Sequence, residues 1–251
     1  MNRRCRLDLA YDGTEYAGWQ MQRNAPTVQG TLGAVLTRLN GDRRVVIHGA
    51  GRTDSGVHAR AQVCDFEIDS PKDDAALSYA LSLLLPPDIR PLRLVTVDDE
   101  FHSQYSAKAK SYRYFIDRSR YGDPLRARFA LHYAKPLDLE AMQEALRRLP
   151  GRKDWSGFAG SKCTVLSKVR DLTQASYLES DGRGEFEFRA DGFLTYMVRN
   201  IVGTMLYIGA GRLKPAVVEQ MLERKDRSLG GPGAPPHGLH LWEVEYDRPL
   251  R

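Results

Sequence analysis

Cysteine is scarce in this sequence, and no apolar run is long. The three cysteines, Cys5, Cys64 and Cys163, lie far apart and form no short ligand-spaced motif. A disulfide framework or a zinc ribbon needs more cysteines placed closer together, so we expect three reduced thiols instead. The longest apolar run, ALSYALSLLL at 76–85, is far shorter than the ~20 residues that cross a bilayer. No membrane association is therefore expected.

The opening residues and the overall composition indicate an intracellular globular protein. MNRRCRLDLAYDG reaches charged residues and a glycine without the apolar core of a signal peptide. Of the 251 residues, 42% are hydrophobic and 27% are charged, which are ordinary globular values. Lys and Arg number 37 against 32 Asp and Glu, a net charge of +5. We expect a cytoplasmic protein, and the modest basic excess favours a polyanionic partner such as nucleic acid without establishing one.

Hydrophobic periodicity predicts the order β-α-β-β-α-β over residues 1–105. The predicted strands are 5–12, 44–48, 61–68 and 92–97, and the two helices cover 28–39 and 77–85. Thr27 is placed to cap the first helix and Gly41 to end it, while Pro86 and Pro87 stop the second.

Residues 106–251 are predicted to repeat that order without an evident sequence repeat. Strands are expected at 111–117, 168–180, 184–190 and 239–247, and helices at 139–149, 193–209 and 215–225. Asp181-Gly182 marks a hairpin turn. The predicted fold class is α/β (α+β), with two ferredoxin-like or RRM-like units, 1–105 and 106–251. Both units would have mainly antiparallel sheets, with a central cleft between them as a candidate site.

The stretch HGAGRTDSGVHARAQ at 48–62 places Asp54 among three glycines. Gly49 and Gly51 begin a dinucleotide fingerprint, but Asp54 replaces its third glycine and a strand follows instead of a helix. The glycine spacing from Gly51 to Gly56 fits a P-loop that lacks its Lys and Ser/Thr. Nucleotide binding is therefore excluded.

Two interpretations of Asp54 remain open from this loop alone. Aspartate in a Gly-rich turn commonly bonds its own backbone in an Asx turn. Alternatively, Arg52 keeps the carboxylate ionised for work at an electron-poor sugar carbon. A metal site built from His48, Asp54 and His58 matches no known ligand spacing, and Arg52 adds an unfavourable charge, so no metal is predicted.

Two further stretches carry candidate residues. The basic and aromatic stretch at 107–122 puts Tyr112 and Tyr114 on one strand face, with Arg113 and Phe115 on the other. That pattern suits stacking of RNA bases as well as it suits an ordinary core strand. Arg199 lies among apolar residues in FLTYMVRNIVGTML. It either occupies a thin exposed stripe or pairs with a carboxylate, for which Asp54 is the predicted partner.

At these residues the sequence resembles the tRNA pseudouridine synthase A family. GAGRTDSGVHA at 49–59 is similar to that family's signature. Four further blocks resemble the family in the same order: YDGTEYAGWQMQ (11–22), FHSQYSAKAKSYRYFI (101–116), FLTYMVRNIVGTMLYIG (193–209) and APPHGLHL (234–241). The resemblance covers essentially the whole chain.

The resemblance implies isomerisation of uridine to pseudouridine at positions 38–40, in the anticodon arm of tRNA. It implies no cofactor and no metal, and a homodimer with tRNA lying across both subunits in an RNA-binding cleft. Asp54 matches the catalytic aspartate, Tyr112 the tyrosine that stacks on the substrate and Arg199 the arginine that pairs with the aspartate. Arg52 is expected to assist Asp54, and Arg52 and His58 to contact the substrate.

Several points stay open at the level of sequence. Asp54 either attacks C1′ or removes the C2′ proton. Gln104 stands where the family pattern has an arginine, and 154–172, with Lys162 and Cys163, follows its block loosely. A non-catalytic RNA-binding module is the main alternative function, but it gives no reason for an acid among arginines. A metal-dependent hydrolase is the third.

Overall fold

The computed structural model describes residues 2–161 and 163–247, and the statements that follow concern those residues. The chain divides into two compact units. Unit 1 comprises the described parts of Met1–Lys108 and Leu241–Arg251, and unit 2 is Ala109–His240. Lys162, singled out in the sequence, lies outside the described residues. The predicted domain boundary between residues 105 and 106 stays a prediction. The two compact units differ from it because unit 1 also includes the described part of Leu241–Arg251.

The described residues form ten strands and five α-helices, numbered along the chain. The strands are β1 (Asn2–Tyr11), β2 (Ile47–Gly49), β3 (His58–Asp69), β4 (Ile89–Thr96), β5 (Ala107–Asp117), β6 (Leu131–His132), β7 (Gly151–Asp154), β8 (Val169–Ser180), β9 (Arg183–Ala190) and β10 (Leu239–Tyr246). The helices are α1 (Val28–Leu39), α2 (Asp74–Leu84), α3 (Leu139–Arg147), α4 (Met197–Gly209) and α5 (Val217–Arg224).

Unit 1 is a sheet covered by two amphipathic helices, and β1 pairs antiparallel with both β3 and β4. Its strand order is β4-β1-β3-β10, and β2 also pairs with β3. Alternate β1 residues are fully buried, and Cys5 and Leu7 lie directly opposite Phe66 and Cys64 of β3. The helices bury residues at three- and four-residue spacing: Val28, Leu32 and Leu36 in α1, and Leu77 and Leu81 in α2. One face of the sheet and these helix faces form the core.

Unit 2 carries the strand order β5-β9-β8-β7, in which all neighbours are antiparallel. The short β6 pairs with β5 in parallel. Tyr114, Phe186 and Phe188 are fully buried on one face of this sheet. The β8–β9 turn contains Asp181 and Gly182, with φ of 50° and 71°, which is the left-handed pair expected of a two-residue hairpin. Most of α4 is buried, so it is a core helix.

The predicted fold class is confirmed as a mixed α/β protein with mainly antiparallel strands. The order β-α-β-β-α-β is present in unit 1. Two predicted elements need correction: the strand at 44–48 is found at Ile47–Gly49, and the helix at 193–209 begins only at Met197. The strands β6 and β7 were not predicted. The cleft expected between the units stays a prediction. No helix among the described residues is long and apolar enough to cross a membrane.

Candidate active site

The loop at 49–57, called here the site loop, joins β2 to β3 and carries Asp54 into a tight turn. Val57 N–H donates to the Asp54 carbonyl at 3.1 Å, and Gly56 has a φ of 74° at the third turn position. Gly56 N–H donates instead to the carbonyl of Tyr16, at 3.3 Å. An Asx turn of Asp54 would use that same N–H, and the choice between the two interpretations of Asp54 stays a prediction. The half-buried Asp54 therefore sits in a loop held by backbone bonds.

Residues 11–19, called here the clamp segment, fix the site loop at Thr53. Trp19 N–H donates to the Thr53 carbonyl at 3.1 Å, and the hydroxyls of Tyr11 and Thr53 lie 2.8 Å apart. Gly18 approaches so closely that a Cβ there would lie 2.6 Å from the Thr53 carbonyl oxygen. Thr53 is buried, so the residue before Asp54 is held on its backbone and on its side chain.

The clamp segment is itself anchored to the start of α1. The carbonyls of Gly18 and Trp19 accept hydrogen bonds from the N–H groups of Val28 and Gln29, at 3.2 and 3.0 Å. These N–H groups belong to the first turn of the helix, where no carbonyl of the same helix can serve them. Thr27 caps the same turn by accepting from Gly30 N–H at 3.2 Å. The helix terminus thus gives the clamp segment a rigid base.

Aromatic side chains complete the support of the site loop. Trp19 is 1% exposed and stacks against Tyr11, with ring centroids 6.2 Å apart. Burial raises the pKa of the Tyr11 hydroxyl, so it stays protonated and neutral. Trp19 lies in the block YDGTEYAGWQMQ, but the sequence alone assigned it no role. A tryptophan within a Gly-rich segment was the signal in the sequence that could have indicated its supporting role.

His58 lies at the end of the site loop and contacts the clamp segment. Its Nδ1 accepts from Gly13 N–H at 3.0 Å, and the ring is 1% exposed. Asp12 Oδ1 lies 3.2 Å from the same nitrogen. Nδ1 therefore lies within reach of both the Gly13 N–H and a carboxylate oxygen of Asp12. The predicted contact of His58 with substrate stays a prediction; in the structure His58 positions backbone.

Arg52 is exposed, two residues before Asp54. The described residues include no group of three or more His, Cys, Asp or Glu side chains arranged to hold a metal ion. Exposure suits Arg52 for contact with a phosphate, while its predicted role in keeping Asp54 charged stays a prediction.

Tyr112 lies on β5 in unit 2. It is 7% exposed, and its ring makes an edge contact with Phe193 at 5.0 Å between centroids. Tyr114, on the same strand face, is fully buried and donates its hydroxyl to the Pro235 carbonyl at 2.9 Å. The predicted alternation of the strand is confirmed, since Arg113 and Phe115 are less buried on the other face. The stacking role of Tyr112 stays a prediction.

Arg199 is held at the start of α4. Its Nε donates to the Ala234 carbonyl at 2.7 Å, while Ala234 N–H donates to the Arg199 carbonyl at 2.9 Å. The guanidinium carbon lies 5.0 Å from the centroid of the Tyr196 ring. Tyr196 precedes the helix in the left-handed region, with φ of 62°, which is costly for a tyrosine. The pairing of Arg199 with Asp54 stays a prediction.

The segment that contains Ala234 is fixed by a buried polar group next to Arg199. Asn200 Nδ2 donates to the Phe158 carbonyl at 2.8 Å, and Asn200 Oδ1 accepts from Arg227 Nη2 at 3.1 Å. Arg227 Nη2 also donates to the Gly231 carbonyl at 2.5 Å. Burial lowers the pKa of Arg227, but an arginine remains charged near neutral pH. Arg227, itself bonded to Asn200, therefore fixes the chain at Gly231, three residues before the Ala234 carbonyl that accepts from Arg199.

Comparison with known protein families identifies the family of this chain. The model of the family described as tRNA pseudouridine synthase matches residues 9–106 and 145–247. The chain belongs to this family. The matched residues include the site loop, the clamp segment and α4.

Curated relatives agree with the family match over nearly the full length. The chain is 42% identical over 247 residues to proteins named tRNA pseudouridine synthase A from Streptococcus pneumoniae strains Hungary19A-6 and CGSP14. In both cases 97% of this chain and 99% of the relative are covered. As a member of the tRNA pseudouridine synthase A family, the chain is an isomerase that forms pseudouridine in tRNA.

Solved structures show a weaker likeness. An archaeal box H/ACA sRNP Nop10-Cbf5 complex matches with a TM-score of 0.36 and 11% identity, covering 80% of this chain and 44% of that one. A Cbf5-Nop10-Gar1 complex matches with a TM-score of 0.33 and 8% identity, covering 81% and 54%. Such scores are too low to add to the assignment.

Proposed function

We propose that this synthase isomerises uridine at positions 38–40, in the anticodon arm of tRNA, with Asp54 as the catalytic residue. The observation that carries the proposal is the support of the site loop. Thr53, Gly56 and Val57 all use backbone groups in fixed bonds around Asp54. A carboxylate on such a loop is pre-organised for reaction at one place, which is what catalysis at a sugar carbon requires.

The reaction begins at the ribose of a uridine flipped out of the RNA stack, which costs roughly a few kcal/mol. Asp54 either attacks C1′, forming an ester as the C1′–N1 bond breaks, or removes the C2′ proton to give a glycal. The detached uracil turns, and C5 then bonds to C1′ as the ester bond to Asp54 breaks or as Asp54 returns its proton to C2′, while N1 gains a proton. The C5 proton leaves to a base, for which the Tyr112 hydroxyl is the candidate. Atoms balance, because product and substrate are isomers.

The other predicted residues support these steps. Arg199 is oriented by the Ala234 carbonyl and by Tyr196, and it is assigned to keep Asp54 ionised. Arg52 is assigned to the RNA backbone beside the target, in keeping with its exposure. Tyr112 is assigned to stack on the uracil. The proposal includes a homodimer working in the cytoplasm, as the family resemblance implies.

Tritium release from C5-labelled uridine in a tRNA transcript tests the proposal. Three transcripts, each with its labelled uridine at only one of positions 38, 39 and 40, locate the target. We expect the native protein to release tritium in EDTA, and Asp54→Asn to be slower by about a thousandfold or more. Asp42→Asn, at an exposed left-handed position, is the matched control and keeps native activity.

Binding of the same transcripts separates catalysis from recognition. Asp54→Asn is expected to bind tRNA as tightly as the native protein, because the substitution removes a charge that repels phosphate. If both proteins bind and neither releases tritium, the chain acts as an RNA-binding module and the proposed mechanism is wrong. Release by Asp54→Asn at the native rate would remove Asp54 from the mechanism.

A further inference from the structure

Three aromatic rings form a column on the surface of unit 1, outside the residues used so far. The ring centroids of His48 and His102 are 5.0 Å apart, and those of His102 and Tyr105 are 4.4 Å apart. Tyr105 is 80% exposed although His102 covers one side of its ring. The other face of Tyr105 is therefore open to solvent.

Ser103 fixes the base of this ring column through three hydrogen bonds. Its N–H donates to Asp65 Oδ1 and its hydroxyl donates to the His48 carbonyl, both at 2.7 Å. Its carbonyl accepts from the Tyr246 hydroxyl, also at 2.7 Å. Ser103 and Asp65 are fully buried, so these bonds are shielded from water. The column rests on a buried polar network.

The middle ring is locked by the backbone that follows it. Nδ1 of His102 accepts from the N–H groups of Gln104 and Tyr105, at 3.1 and 3.4 Å. A nitrogen that accepts cannot also carry a proton, so these two bonds place the ring hydrogen on Nε2. Rotation of the ring would break both bonds. Tyr105 is thus presented on a support that is already ordered.

The position and chemistry of the column point to RNA. His48 directly precedes Gly49, the first residue of the site loop that carries Asp54. An open tyrosine face can stack any RNA base, and ordering the ring in advance lowers the entropy cost of binding. The neighbouring exposed residue is the uncharged Gln104, so this spot favours a base over a phosphate.

We infer that Tyr105 is a second base-stacking site, which holds an unpaired tRNA base other than the target uridine. The inference rests on the proposed function only in taking tRNA as the ligand. The stacked base lies outside the reacting centre, so Tyr105 contributes to substrate binding and not to the chemical step.

The test compares tRNA affinity and tritium release for three tyrosine variants. Tyr105→Ala is expected to weaken tRNA binding by about fivefold to a hundredfold and to raise KM, with kcat within twofold of native. Tyr105→Phe keeps the ring and is expected to bind like the native protein. Tyr79→Ala, which removes a tyrosine 67% exposed on α2, is the matched control and leaves affinity unchanged.

The dependence of affinity on salt identifies the kind of contact. Stacking releases no counterions, so the slope of log Kd against log salt stays the same in Tyr105→Ala. If Tyr105→Ala binds tRNA with native affinity, the inference is wrong. It is also wrong if Tyr105→Ala changes the oligomeric state in sedimentation, because the ring column would then contact another protein chain. Absence of tritium release from the native protein overturns the proposed function alone, since the binding comparison does not depend on catalysis.

Discussion

The glycine that matters most for the position of Asp54 lies outside the site loop. Glycines around Asp54 suggest room for an RNA backbone, whereas Gly18 makes room for the protein's own chain. Its φ of 96° and its closeness to the Thr53 carbonyl both exclude a side chain. The residue before Asp54 therefore depends on a missing Cβ thirty-five positions away in the clamp segment.

Gly18→Ala tests this dependence against a second glycine of positive φ. Gly41, with φ of 63°, has nothing within 4 Å of an added Cβ. We expect Gly41→Ala to lower the free energy of unfolding by about 1 kcal/mol and to leave kcat/KM unchanged. Gly18→Ala should cost about 3 kcal/mol and lower kcat/KM at least about tenfold, because Thr53 must move. Urea unfolding and tritium release measure both. Equal behaviour of the two variants would show that the close approach does not position Asp54.

The sequence predicted the surroundings of some single residues better than those of others. Asp54 was singled out because it lies close to Arg52 in a Gly-rich loop and matches the family signature, and its role stays a prediction. The expected contact of His58 with substrate stays a prediction, while the structure shows a buried ring whose Nδ1 accepts from Gly13 N–H. Sequence spacing cannot reveal such a partner, because Gly13 lies forty-five residues away and only the fold brings it near.

At the scale of elements, the sequence predicted helix and strand ends correctly where a capping or turn residue marks them. Thr27 caps α1 as predicted, and Asp181-Gly182 forms the predicted turn. The start of α4 was wrong because Phe193–Tyr196 continues the apolar run without forming helix, and nothing in composition announces the left-handed Tyr196. β7, with the sequence GRKD, lacks apolar alternation, and only its pairing with β8 makes it a strand.

An ion pair joins β7 to the end of α5 and gives stability that depends on pH. Lys225 Nζ lies 2.7 Å from Asp154 Oδ2. The hydrogen bond from Lys225, with others from Ser156, lowers the pKa of Asp154 to about 2. Since the unfolded value is about 3.9, this stabilisation is fully present above about pH 4 and is lost as pH falls towards 2.

Asp154→Asn is therefore expected to lower the free energy of unfolding by about 1 kcal/mol at pH 7, less than the pKa shift alone implies, because solvent screens the pair. The difference from native should shrink as pH falls from 4 to 3. Guanidinium titrations across pH 3–7 measure it. Lys225→Gln is the paired variant and should lose part of the same pH-dependent term. A difference that stays constant down to pH 3 would contradict the assignment.

At the scale of the whole molecule, the three cysteine thiols differ in their exposure to solvent. Cys5 and Cys64 are fully buried, and burial raises the pKa of both thiols. Cys163 is half-buried. Thiolate is the reactive form, so burial and raised pKa protect the first two together.

We expect one thiol to react quickly with Ellman's reagent at pH 8 in the native protein, and three in guanidinium chloride. Cys163→Ser should remove the fast phase and leave the slow thiols unchanged. Three thiols reacting at one rate without denaturant would mean that the strands bearing Cys5 and Cys64 open far more readily than their burial indicates.

The closing strand β10 has a consequence for how the chain is made. β10 borders β3 in unit 1, yet all of unit 2 is translated between them. While the ribosome synthesises unit 2, that side of β3 has no β10 to cover its backbone N–H and C=O groups. An uncovered strand edge pairs readily with other chains. We therefore expect the nascent protein to be most prone to aggregation after β3 has been synthesised and before β10 follows, when slow elongation would be most harmful.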